Sequence, residues 1–161
     1  MRSPITYREN ADVTDTLRQL AVTHFSDASG YHHYVSMAKK NFREHLRGDV
    51  VRYKKYFYVL RPLLAARWIR EGRRAPPMRF ADLAEATVRG AGLIAEIDAL
   101  LDVKMRAGEA ATSLRWPAIH DFIVSELAAA GASVPVDHVR RNSAELDSFL
   151  STTVRRFDLS L

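Results

Sequence analysis

Apolar residues recur every three or four positions along most of this chain, the spacing of helices that bury one face. Val13, Leu17, Leu20 and Ala21 mark a first helix entered near Asp12. Ser26 or Asp27 is placed to cap a second, in which Tyr31, Tyr34, Val35, Ala38, Phe42 and Leu46 share a face until Gly48-Asp49 ends it. Residues 50–60 are rich in β-branched and aromatic side chains, which is a strand signal. Yet Tyr53, Tyr56, Phe57, Leu60, Leu64 and Trp68 continue one helical face through that segment and past it, so a helix is expected. Pro62 falls inside the pattern. It lacks an amide donor and crowds the preceding turn, which predicts a kink or a fresh helical start near Arg61.

A basic, proline-rich connection spans residues 72–77. Beyond it Phe80, Leu83, Ala84 and Val88 open a helix closed by Gly90 or Gly92, and Leu93, Ile94, Ile97, Leu100, Leu101 and Met105 form another that Gly108 stops. Pro117 suits the first position of a helix carrying Ile119, Phe122, Ile123 and Leu127, with Gly131 at its end. A last helix, entered near Asp137, is expected to bury Val139, Leu146, Phe149, Leu150, Val154 and Phe157. No alternating strand series and no internal repeat interrupts this order. The expectation is an all-α fold, residues 1–161 forming one helical bundle of about six to seven helices with short connections.

Composition narrows the class. A chain of 161 residues suits one domain, and 47% hydrophobic with 27% charged residues is the balance of a soluble globular protein. No apolar run approaches the roughly 18 residues of a membrane span, and no signal-peptide core stands at the amino terminus, so a cytoplasmic location is expected. With no cysteine, disulfides, thiolate metal sites and cysteine nucleophiles are excluded.

Charge changes the picture more. Residues 39–79 hold 13 Lys or Arg against 3 acidic residues, a net of +10, whereas the remainder holds 11 against 16, a net of −5. Such a field concentrates anions. Within it Lys54, Tyr58 and Arg61 step along one helical face, opposite the apolar stripe, and offer two cations and a phenol to a phosphate. Arg61 carries most weight, because a guanidinium grips phosphate oxygens with two donors; its competing role is to pair with a core carboxylate. Lys55, Lys39, Lys40 and Arg67 add to the field or are solvated, and Tyr34 and Trp68 can stack on a base or fill the core. The six histidines show no i, i+4 zinc pairing with a catalytic Glu, so no metal site is expected.

The motifs Ser3-Pro4-Ile5-Thr6-Tyr7, His33-Tyr34, Met37-Ala38-Lys39-Lys40-Asn41, Lys54-Lys55-Tyr56, Tyr58-Val59-Leu60-Arg61-Pro62-Leu63-Leu64-Ala65 and Pro76-Pro77-Met78-Arg79-Phe80 resemble the carboxy-terminal half of a predicted nucleotidyltransferase family of the DNA polymerase beta superfamily. The match is dense over residues 3–106 and looser beyond. Complete members resembling this pattern hold two divalent metals and a nucleoside triphosphate with a Gly-Ser turn, an Asp-x-Asp pair and a third carboxylate. This chain contains no Gly-Ser and no Asp-x-Asp. Its Glu96-Ile97-Asp98 and Glu145-Leu146-Asp147 runs lie on helical patterns, where residues two apart diverge. The resemblance therefore implies that the palm domain lies outside this chain, which would be a truncated, split or stand-alone product. Mg2+ and nucleoside triphosphate would be implied only for a complete member; for this chain no cofactor and no catalytic residue are expected.

The function so implied is a helical substrate-recognition domain. It would bind a nucleotide or RNA end through Lys54, Lys55, Tyr58, Arg61, Arg67, Lys39, Lys40 and Tyr34, and dock a palm domain in cis or in trans. Homodimerisation and no membrane association complete the expectation. One alternative is a protein-interaction module with a basic face. The other is a HEPN-like ribonuclease, since Arg115 to His120, with four spacers, resembles that family's Arg–His pattern and Arg18 to His24 offers a five-spacer version.

Overall fold

The computed structural model describes residues 9–106, 112–131, 134–136 and 143–158. Among these residues seven helices follow in order, α1 (Ala11–Thr23), α2 (Asp27–His45), α3 (Tyr53–Arg70), α4 (Phe80–Thr87), α5 (Ala91–Arg106), α6 (Pro117–Ala129) and α7 (Ala144–Asp158), and the fold is an all-α bundle. Two three-residue strands, β1 (Val50–Arg52) and β2 (Thr112–Leu114), pair antiparallel with Val51 opposite Ser113. Ser3–Tyr7, Gly108, Asp137 and Val139 lie outside the described residues. No helix among them is long and apolar enough to cross a membrane.

Local chemistry explains the helix ends. The Asn10 side chain accepts from the amide of Val13 at 3.3 Å to start α1, and Ser26 Oγ accepts from the amide of Ser29 at 3.0 Å to start α2. Pro117 occupies the first turn of α6 as expected. α3 closes on a Schellman turn: Gly72, at φ +76°, donates to the carbonyl of Ile69 at 2.9 Å and Arg73 donates to that of Trp68 at 3.3 Å.

α3 is the centre of the molecule. Tyr56, Val59, Leu60, Leu63, Leu64, Ala65, Ala66 and Ile69 are all buried, so the helix is covered on most of its circumference, and α2, α4, α5, α6 and β1 pack around it. α2 runs antiparallel beside it, with Gly30 near Ile69, Asn41 against Tyr58 and His45 against Lys55. At Gly30 the approach is tight, since a Cβ would lie 2.7 Å from Phe25 Cζ and 3.3 Å from Ile69 Cδ1.

Pro62 neither breaks α3 nor starts a new helix; Tyr53–Arg70 is one continuous element with Pro62 buried inside it. The missing proline amide leaves the carbonyl of Tyr58, four residues earlier, without its helical donor. Asn41 Nδ2 donates to that carbonyl at 3.0 Å, replacing the lost bond from the neighbouring helix.

Four expectations are corrected. Residues 50–52 are strand, because Val51 packs into the core while the segment pairs with Thr112–Leu114; the helix begins only at Tyr53. Gly92 lies inside α5, and Gly90, at φ +95°, makes the turn before it. α1 contains no buried residue, and Leu17 is exposed. On α7, Leu146, Leu150, Val154 and Phe157 are exposed although they form one apolar stripe. The last two share a cause: α1 and α7 pack chiefly on each other at the margin, joined by Asp12–Arg156 at 3.8 Å and His24–Glu145 at 3.0 Å, so helical periodicity there faces no core.

Replacing Asn41 by Ala removes the substitute donor. The cost expected is about 1 kcal/mol, or a Tm drop of about 2–4 °C for a chain of this size. In a Pro62→Ala background, where the amide is restored, the same replacement should cost much less; equal losses in both backgrounds would show that the Asn41 bond does not compensate for the proline.

Candidate nucleotide-binding face

The first two turns of α3 put Lys54, Lys55, Tyr58 and Arg61 on the protein surface while Tyr56, Val59 and Leu60 turn inward. Lys55 Nζ lies 4.7 Å from the centre of the Tyr58 ring, a cation–π contact, and 3.4 Å from His45 Nε2 on α2. Tyr58 is 41% exposed, and its backbone carbonyl is held by Asn41. Arg61 is exposed as well and uses one guanidinium nitrogen on the Met78 carbonyl, which ties α3 to the entry of α4. No carboxylate pairs with Arg61 among the described residues. Its competing role as half of a core ion pair is therefore not the arrangement seen.

The remaining candidates scatter. Lys39 and Lys40 are exposed on α2, with Lys40 3.9 Å from Glu44. Tyr34 is half-buried and packs against the core, its ring edge-on to His33 at 5.3 Å. Trp68 also packs on the core and donates from Nε1 to the carbonyl of Arg73 at 3.0 Å.

Arg67 lies at the other end of α3 inside an ion-pair network. Arg67 and Arg70 reach Glu126 of α6 at 2.9 and 3.0 Å, and Glu71 gathers Arg67, Arg73 and Arg89 at 3.4, 3.3 and 3.7 Å. Half-buried pairs of this kind fasten α6 to α3 and neutralise the carboxy-terminal part of the basic stretch. At the start of α3, Lys55 and Arg61 have no carboxylate partner among the described residues.

Asn41 and His45 belong to this face although neither was singled out from the sequence. A signal existed for Asn41: Pro62 inside a helix demands a foreign donor for Tyr58, and a neighbouring amphipathic helix with an Asn is the place to seek it. His45 follows Asn41 by one turn and so meets the preceding turn of α3.

Among the described residues no group of three or more histidine or acidic side chains gathers where it could hold a metal ion. Glu96 accepts a hydrogen bond from Trp116 Nε1, and Glu145 pairs with His24 on the far margin, so the glutamates of the two Glu-x-Asp runs serve the scaffold.

Comparison with known proteins gives the chain a family. The family described as RlaP, RNA repair pathway DNA polymerase beta family, matches residues 1–152. The chain belongs to this RNA repair polymerase beta family. It is also 39% identical over 127 residues to "Uncharacterized protein YcgL" of Bacillus subtilis (strain 168), a stretch covering 79% of this chain and 49% of that protein. The chain thus spans about half the length of that relative. No solved structure matches.

The nuclease pair is in any case built into the scaffold. Arg115 donates from Nε to the carbonyl of Gly48 at 2.9 Å and from a terminal nitrogen to that of Arg47, clamping the turn before β1. Arg18 pairs with Glu9 and Asp15, at 2.9 and 2.8 Å, and His24 with Glu145. The buried Tyr56 hydroxyl accepts from the amide of Trp116 at 2.8 Å, and burial holds that phenol above its ordinary pKa of 10.0. His120 leans on the Phe42 ring at 5.5 Å, with Nδ1 buried and unpartnered among the described residues. Burial and the charge of Arg115 hold its imidazole below the ordinary 6.5, with Asp121 opposing.

A depressed histidine favours the folded state while neutral. Its contribution is complete above pH 6.5 and is lost as the pH falls from there through the lower, folded-state value. Thermal melts between pH 8 and pH 5 should therefore show a decline on the acid side that is smaller in a His120→Asn variant. Parallel declines in the two proteins would exclude His120 as the titrating group.

Proposed function

We propose that this chain is the helical substrate-recognition part of a nucleotidyltransferase-like protein in RNA repair, and that it holds a phosphate-bearing ligand, a nucleotide or an RNA end, on the exposed start of α3. The observation that carries the reading is the cluster Lys54, Lys55, Tyr58 and Arg61 on two turns of a rigid, buried helix, in a chain of a polymerase beta family. Guanidinium and ammonium groups suit phosphate oxygens, and an exposed phenol suits a sugar or base. Arg67 and Tyr34 act in this reading as supports for the scaffold. Lys39 and Lys40 extend the field without a defined contact.

The sequence contains neither Gly-Ser nor Asp-x-Asp, so metal-dependent phosphoryl transfer requires carboxylates from a palm domain, in the same polypeptide or another. That this chain spans about half of its relative supports a division into a catalytic and a helical part. The helical part would contribute orientation, holding the ligand for whatever metals a palm domain supplies and so lowering the entropy lost on the way to reaction.

Titration calorimetry at low salt with a nucleoside triphosphate and with a short single-stranded RNA tests this. Binding is expected for at least one of them, weakened about tenfold or more by Arg61→Ala, which corresponds to roughly 1.4 kcal/mol, and less by Arg61→Lys. For RNA, the slope of log affinity against log salt should flatten by about 0.7 for each phosphate contact removed. Failure of both ligands to bind, or an Arg61→Ala protein that binds as tightly as the parent, would refute the assignment.

A further inference from the structure

Phe57 and Tyr58 are neighbours on α3, and a lysine lies over each ring. Lys55 Nζ is 4.7 Å from the centre of the Tyr58 ring, and Lys104 Nζ, arriving from α5, is 5.8 Å from that of Phe57. Phe57 packs against the core and meets the Phe80 ring of α4 edge-on at 5.3 Å, so the ring under Lys104 is held from two sides. Arg61 follows Phe57 by one turn of α3 and donates to the Met78 carbonyl, just ahead of Phe80. A cation from a second helix is thereby brought beside the face described above.

Lys104 shares a property with the two cations already on that face. Lys55, Arg61 and Lys104 pair with no carboxylate among the described residues; Asp102, the acid nearest to Lys104 in sequence, lies 3.6 Å from Arg106. At roughly 3.6 residues per turn, Phe57, Arg61, Tyr58 and Lys55 fall within an arc of about 160° on α3, with Lys104 marking the Phe57 edge and Lys55 the other. Along the axis, Lys55 and Arg61 are about 9 Å apart, the rise of two to three stacked nucleotides at about 3.4 Å each. Cations spread along and across a helix in this way suit the successive phosphates of a strand better than the compact triphosphate of one nucleotide.

We propose that Lys104 is a phosphate-binding residue, and that the ligand of this face is a single RNA strand held over several successive phosphates, from Lys55 beside α2, past Arg61, to Lys104 on α5. This rests on the reading of the α3 face as a phosphate site and adds to it the length of the ligand and a contact from a second helix. Tyr58, the exposed ring, stacks on a base. Phe57, half-buried beneath Lys104, keeps the ammonium in place, which limits the side-chain entropy lost on binding.

Fluorescence anisotropy at low salt, with uridine oligonucleotides of increasing length beside uridine triphosphate, tests the proposal. Affinity should rise with length and exceed that for the triphosphate. Lys104→Met, which keeps an apolar stem over Phe57, should weaken the longest strand about fivefold and flatten its slope of log affinity against log salt by about 0.7, and should weaken the dinucleotide less. In the parent chain the longest strand should shield Lys104 and Lys55 from an amine-reactive reagent, and this decides the matter if Lys104→Met loses helicity. A Lys104→Met protein that binds the longest strand as tightly as the parent while Arg61→Ala weakens it, or a Lys104 that the bound strand leaves reactive, overturns the inference and leaves the α3 site standing. A triphosphate that binds as tightly as the longest strand, or equal losses for dinucleotide and longest strand, overturns the run of successive phosphates. No binding at any length overturns the inference together with the reading on which it rests.

Discussion

Burial of α3 on most sides is the constraint on which the rest of the molecule depends. A helix covered by α2, α4, α5, α6 and β1 has to satisfy every backbone polar group internally or through a neighbour. Pro62 violates that condition in mid-helix, and Asn41 of α2 repairs it at the carbonyl of Tyr58. The repair also fixes the registry of the α2–α3 pair, which the close approach at Gly30 sets independently at the other end. The same residue, Tyr58, stands at the middle of the cationic face. Fold and candidate site thus share one hydrogen bond.

The two ends of α3 divide the charge of the chain between structure and surface. At the carboxy-terminal end, Arg67, Arg70 and Arg73 meet Glu71 and Glu126. At the amino-terminal end Arg61 is exposed, and the partly exposed Lys55 lies over the ring of Tyr58, whose carbonyl Asn41 holds. A cation constrained by acidic partners is a poor ligand for an added phosphate, since binding first has to break an existing pair. Arg61, at the start of α3, pairs with no carboxylate among the described residues and is the more suitable cation. Preorganisation on a rigid helix further reduces the side-chain entropy lost on binding.

Helix positions were legible in the sequence wherever an element packs on α3. The 3.6-residue period of α2, α3, α5 and α6 reports a real buried face, and Ser26 and Pro117 mark the starts that the structure uses. At the margin the same period misled. Leu17 on α1 and Leu146, Leu150, Val154 and Phe157 on α7 have the spacing of core residues, but period alone records only that a face is apolar, not what covers it. The strand signal at Val50–Arg52 was present but outweighed by the helical face that follows: three residues are too few to show a period of two, and their partner lies some 60 residues away. At the candidate site, the cations of α3 were readable from spacing. The role of Arg67 was not, because Glu126 is distant in sequence and only the packing of α6 brings it near.

The central claim is that a phosphate-bearing ligand meets the start of α3. Chemical-shift mapping of the labelled chain during titration with a short single-stranded RNA, at low salt, tests it most directly. The account predicts perturbations concentrated at Lys54, Lys55, Tyr58 and Arg61, with a lesser set at Asn41 and His45. Perturbations confined to another surface, or none at saturating RNA, would contradict it.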